Sequence, residues 1–129
     1  MKVAVIAINQ LHQHEQIDPS HLDALKQQIK KDQILKNPII VDEKSLTVLD
    51  GHHRLQSCLQ LGFTKIPCML VDYLNDKKIR VSARRPEFQV SKQLVVETGL
   101  KGTLLPYKTT KHFIPKRVKG LNIKINKLV

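Results

Sequence analysis

Five consecutive residues concentrate the chemistry of this chain: Asp50-Gly51-His52-His53-Arg54. A short apolar run, Leu46 to Leu49, precedes them. Leu55, Cys58 and Leu59 follow at helical spacing, and Gly62 stands where such a helix would stop. This context puts Gly51 to Arg54 at the mouth of a helix, where unpaired backbone N–H groups and the positive dipole end favour anions. Two imidazoles and a guanidinium there suit a ligand with several negative charges, of which a phosphate chain is the natural candidate. Gly51 permits close backbone approach, His52 and His53 supply donors, and Arg54 can grip phosphate with two N–H groups. Asp50 has two readings: it holds Mg²⁺ or a substrate hydroxyl beside the phosphates, or it caps the helix that follows. Adjacent histidines can also bind zinc, but no further Cys or His lies at a standard ligand spacing, so no metal-ligating set is assigned.

A second candidate group is Lys108, Thr110 and His112. They alternate, so an extended segment would present a cation, a hydroxyl and an imidazole on one face, with Thr109 and Lys111 pointing elsewhere. Without other information this is an ordinary basic strand rather than a site.

The elements that must position these residues read as α+β. An apolar opening, Met1 to Ile8, forms a first strand; it is too short to span a bilayer and lacks a signal-peptide cleavage pattern. Ser20 begins a helix with Asp23 in capping-box position and Leu22, Leu25 and Ile29 on its apolar face. Ile39 to Val41 and Leu46 to Leu49 make a hairpin. Ile66 to Val71, entered through Lys65 and interrupted early by Pro67, and Lys78 to Ala83 are further strands, the second broken by Arg84-Arg85-Pro86. Ser91 caps a short helix ending near Gly99. Beyond it the chain is loop-like until Leu121, Ile123 and Ile125 alternate and close a sheet edge. There is no regular βαβ alternation.

With 129 residues and 41% hydrophobic content the chain fits one domain, 1–129, its residues 100–129 forming a basic segment that completes a site. The net charge is +11, and after Glu97 eight cations occur with no acid, a field that attracts anionic partners without choosing among them. Tyr73, Tyr107, Phe63, Phe88 and Phe113 are the only aromatics, few for a surface that stacks single-stranded bases. Cys58 and Cys68 sit in apolar company outside any CxxC pair, as expected of buried free thiols in a reducing cytoplasm.

Three segments together resemble the ParB/sulfiredoxin superfamily: His14-Glu15-Gln16, Asp50-Gly51-His52-His53-Arg54 and Lys108-Thr109-Thr110-Lys111-His112. Within it the combination is most similar to the free L-serine kinases, the archaeal ADP-dependent enzyme and the serine kinase of staphylococcal siderophore synthesis, in a shortened form. The resemblance implies a small mixed sheet with flanking helices and transfer of phosphate from a nucleotide, ADP with Mg²⁺, to free L-serine. It implies Glu15 as general base with Asp50 beside it, Gly51 to Arg54 on the nucleotide phosphates, and Lys108, Thr110 and His112 on the substrate. His12 and His14 receive no role. Two departures stand out. Those kinases carry several dozen additional residues where Phe88 to Pro106 alone spans the gap here, and Arg84 stands where the archaeal enzyme has an aromatic residue. Sulfiredoxin chemistry is set aside, since His52 occupies the place of its cysteine. The alternative expectation is a ParB-like nucleotide-binding regulator that binds DNA; no helix-turn-helix is evident to support it. A homo-oligomer is possible, and no membrane partner is expected.

Overall fold

The computed structural model describes residues 2–129. A four-stranded mixed sheet has the order β1-β5-β3-β4, formed by β1 (Lys2–Ala7), β3 (Ile39–Asp42), β4 (Val48–Asp50) and β5 (Lys65–Val71). The β3–β5 pair is parallel and the other two are antiparallel. Two separate ribbons pair β2 (Ile34–Leu35) with β8 (Ile123–Lys124) and β6 (Arg80–Ala83) with β7 (Thr110–Phe113). The helices are α1 (Pro19–Asp32), α2 (His52–Gln60) and α3 (Lys92–Lys101). The expected α+β class therefore holds.

Alternation along the central strands divides the core between two faces. Ile39, Val41, Val48, Ile66 and Cys68 pack with Ile29 of α1 and with Leu55 and Cys58 of α2. Ile40, Leu49, Met69 and Val71 pack on the other side with Val95 and Val96 of α3 and with Tyr73, Ile79 and Ile114. Each fully buried aliphatic side chain contributes roughly 1.5–3 kcal/mol. Both cysteines are buried free thiols, and burial pushes each up to about 12, so neither is a nucleophile at neutral pH.

Several boundaries differ from the sequence reading, each for a local reason. Asp18, not Ser20, caps α1: its carboxylate accepts from the Ser20 N–H at 3.1 Å, and Pro19 takes the first helical position, where its missing N–H costs nothing. Leu46 has φ +58°, so β4 starts only at Val48. Pro67 does not interrupt β5; it pairs with Val5, and the parallel pairing with β3 begins one residue later at Cys68. Leu59 lies at the edge of the α2 stripe and is 48% exposed. Helix α3 runs past Gly99 and stops at a left-handed Gly102; Gly99 lies inside it and serves packing, since a Cβ there would stand 2.8 Å from Thr47 Cγ2. The Ile123 alternation extends no edge of the main sheet but pairs with β2. The expected strand start at Met1 lies outside the described residues.

Candidate functional site

A cleft of about 360 Å³ opens where β4 passes into α2. Its walls come from the segment before α1, the β4–α2 junction, the β6–β7 ribbon and the C-terminal segment. All nine residues singled out from the sequence line it: Glu15, Asp50, Gly51, His52, His53, Arg54, Lys108, Thr110 and His112.

Gly51 makes the junction possible. It holds φ +107°, and a Cβ would stand 2.5 Å from Ile39 Cγ2, so both backbone conformation and space require glycine. It is also the N-cap of α2, and no side chain caps that helix. Asp50 therefore does not serve as the cap; its Oδ2 pairs with the Arg117 guanidinium. Burial alone would raise the Asp50 carboxyl, but the hydrogen bond and charge of Arg117 hold it below its ordinary value.

The side chains of the junction largely turn to protein partners. His52 Nε2 accepts the His14 backbone N–H at 3.2 Å, which puts the imidazole proton on Nδ1. Burial, helped by neighbouring His14, pushes His52 down to about 3, so it is neutral at pH 7. His53 Nε2 accepts the Asp18 N–H at 2.8 Å, and its ring stacks on His21 with centroids 4.4 Å apart. Arg54 Nη1 donates to the carbonyls of Asn37 at 3.2 Å and Pro38 at 2.7 Å, and no other nitrogen of its guanidinium is bonded among the described residues. These histidines and Arg54 tie α1 and the approach to β3 to the mouth of α2.

Glu15 enters the cleft from a segment pinned by backbone bonds to Leu105, Leu105 N–H to His14 O at 2.8 Å and Gln16 N–H to Leu105 O at 2.7 Å. Its Oε2 accepts from the Thr110 N–H at 3.0 Å and from the Thr110 hydroxyl, and lies 3.4 Å from His14 Nε2. Burial would raise this carboxyl, but hydrogen bonds from His14 and Thr110 outweigh it and bring it to about 2. Oε1 has no hydrogen bond among the described residues. His112 Nε2 meets the Tyr73 hydroxyl at 2.8 Å, and burial lowers the imidazole to about 4.

Thr110 and His112 belong to β7, but Lys108 has φ +56° and precedes the strand. The predicted extended run of alternating residues is thus broken before Thr110, although all three still reach the cleft. Arg117, His21, Leu25 and Arg84 also line it and were not assigned from sequence. Arg117 was one of eight C-terminal cations with nothing in the local pattern to separate it; only tertiary pairing with Asp50 does so.

The profile of the ParB N-terminal domain matches residues 1–84. A ParB-like protein of Sulfolobus acidocaldarius is 38% identical over 76 residues, 59% of this chain and 37% of that protein. An ATP-dependent L-serine kinase of Staphylothermus marinus is 35% identical over 77 residues, 56% of this chain and 30% of that protein. The chain thus spans about a third of the length of the curated relatives it matches. Among solved structures, a glutamate variant of a free serine kinase in complex with ADP superposes with a TM-score of 0.90 at 14% identity, covering 100% of this chain and 95% of that one. That likeness shows a common fold.

Proposed function

The chain belongs to the ParB N-terminal domain family, and from that premise we propose that its cleft transfers phosphate from a nucleotide to the hydroxyl of free L-serine, giving O-phospho-L-serine. The observation that carries the reading is an ionised glutamate facing an uncapped helix N-terminus across one cleft. The free N–H groups of α2 receive the nucleotide phosphates, with the remaining Arg54 nitrogens beside them. Glu15 Oε1 accepts a hydrogen bond from the serine hydroxyl, aims its oxygen at phosphorus and takes the proton as the new P–O bond forms, while the bond to the nucleotide breaks and the shortened nucleotide leaves, AMP from ADP or ADP from ATP. In a loose transition state little proton transfer precedes P–O bond formation, so a carboxylate of low basicity suffices to orient the nucleophile. Lys108 and His112, on the opposite wall, attend the serine carboxylate and the product. Mg²⁺ would accompany the nucleotide; Asp50, whose carboxylate is paired with Arg117, is the side chain that would hold it, and the ion would neutralise charge on the phosphates. No cluster of three or more His, Cys, Asp or Glu side chains able to hold a metal by themselves exists among the described residues.

Two kinds of nucleotide are suggested, ADP by the sequence resemblance and ATP by the Staphylothermus relative's activity. Phosphorus NMR with Mg²⁺, L-serine and, separately, ADP, ATP and CTP tests the reading and names the donor. Serine-dependent formation of O-phosphoserine is expected. A nucleotide-binding regulator without transfer chemistry is the second reading, favoured by the ParB-like relative and the charge of +11. It predicts nucleotide binding with no turnover.

A further inference from the structure

Resting on that reading, we infer that His14 is a positioning residue for Glu15, one that fixes the carboxylate against the β4–β7 side of the cleft and keeps its second oxygen turned to the acceptor. His14 is fully buried, yet it does not pack as an inert core ring. Its Nδ1 lies 2.8 Å from the Val48 carbonyl, which can only accept, so Nδ1 carries a proton. The opposite nitrogen, Nε2, lies 3.1 Å from Thr110 Oγ1 and 3.4 Å from Glu15 Oε2; because the Thr110 hydroxyl gives its hydrogen to Glu15, Nε2 meets only acceptors and donates too, so both ring nitrogens act as donors. Its backbone N–H is held by His52. One imidazole therefore bridges the end of β4, the general-base candidate and β7, and it is latched by the first residue of α2.

This arrangement also gives His52 a task different from touching phosphate: it sets the backbone of the His14–Glu15 pair. The groups facing His14 are Glu15 on its own segment, His52 of α2 at 4.5 Å between ring centroids, and Thr110 and His112 of β7, the latter at 5.9 Å. Of these only Glu15 bears a negative charge. Burial penalises that charge, so the hydrogen bonds of His14 and Thr110 are what keep it ionised.

The two sides of the imidazole can be removed separately. In His14→Asn, the amide nitrogen can take the place of Nδ1 toward Val48 while nothing replaces Nε2; in His14→Gln, the amide reaches toward Glu15 and the Val48 anchor is lost. Carbon-detected NMR of the Glu15 carboxyl is expected to show a titration midpoint raised by about one unit or more in His14→Asn. Serine phosphorylation should fall about tenfold or more in kcat with nucleotide KM unchanged, and His14→Gln should recover part of both effects. An unchanged Glu15 midpoint in His14→Asn overturns the inference. So does equal loss of nucleotide affinity in both variants, which is the signature of a purely structural histidine. If His14→Asn does not fold, nitrogen NMR of the wild type and of Glu15→Gln decides: the His14 Nε2 resonance should move, and its failure to move contradicts the contact. The carboxyl and imidazole measurements need no turnover, so they remain decisive even if L-serine proves not to be the acceptor.

Discussion

The two walls of the cleft are built on opposite plans. The wall formed by the Glu15 segment and the β4–α2 junction is dense in contiguous polar residues, and most are spent on the protein itself. His52 holds the His14 backbone, His53 holds Asp18, and Arg54 holds the carbonyls before β3. The facing wall, from Arg84, Lys108 and Arg117, draws on distant parts of the second half of the chain. Arg84 and Lys108 form no ion pair among the described residues, whereas Arg117 is tied to Asp50. The first wall therefore fixes geometry and presents backbone N–H groups, while the second supplies positive charge. Damage to the first should cost stability and kcat; damage to the second should cost mainly KM.

The sharpest break of this contrast is Gly51→Ala. Its positive φ and the contact with Ile39 predict a loss of about 3 kcal/mol or more in urea unfolding, together with loss of nucleotide binding. Acidification acts on both walls. His52 and His112 are depressed to about 3 and about 4, so below their unfolded value of about 6.5 the unfolded chain binds protons that the native state refuses. Stability is full above that value and is expected to fall by several kcal/mol as pH drops from about 6.5 to 4, about 3 kcal/mol for each histidine, read from thermal melting. Glu15 adds its loss lower, between its ordinary value of about 4.3 and about 2.

On the second wall, Arg117→Ala releases Asp50 and should raise nucleotide KM roughly fivefold, about 1 kcal/mol, with little change in melting temperature. Lys108→Ala, at an exposed position, should raise the serine KM by about twofold and leave the unfolding midpoint unmoved. A Lys108 variant that melted early would show that this wall, too, is structural.

The same contrast explains what was legible in the sequence. The β4–α2 junction could be placed because glycine, the helical spacing of Leu55 and Cys58 and the preceding apolar run are local signals that agree with one another. The α+β class and the four strands of the main sheet followed from such runs, whereas β2 and β7, which lies in a stretch read as loop, did not. What those side chains do was less legible: a histidine that donates to phosphate and one that accepts a backbone N–H look alike until the partner is known. Arg117 and His14 were missed for the same reason, since their roles arise from contacts 67 and 34 residues away. Lys108 was misplaced into an extended run because its left-handed backbone has no marker in its residue type.

The most direct test of the account is a single-turnover comparison of the wild type with Glu15→Gln, using Mg²⁺ and whichever nucleotide binds, with and without L-serine. The account predicts that both bind nucleotide with affinities within about twofold, and that O-phosphoserine forms only in the wild type, at a rate about a hundredfold or more above the variant. Equal product formation by the two proteins, or none by either despite saturating nucleotide, would contradict it.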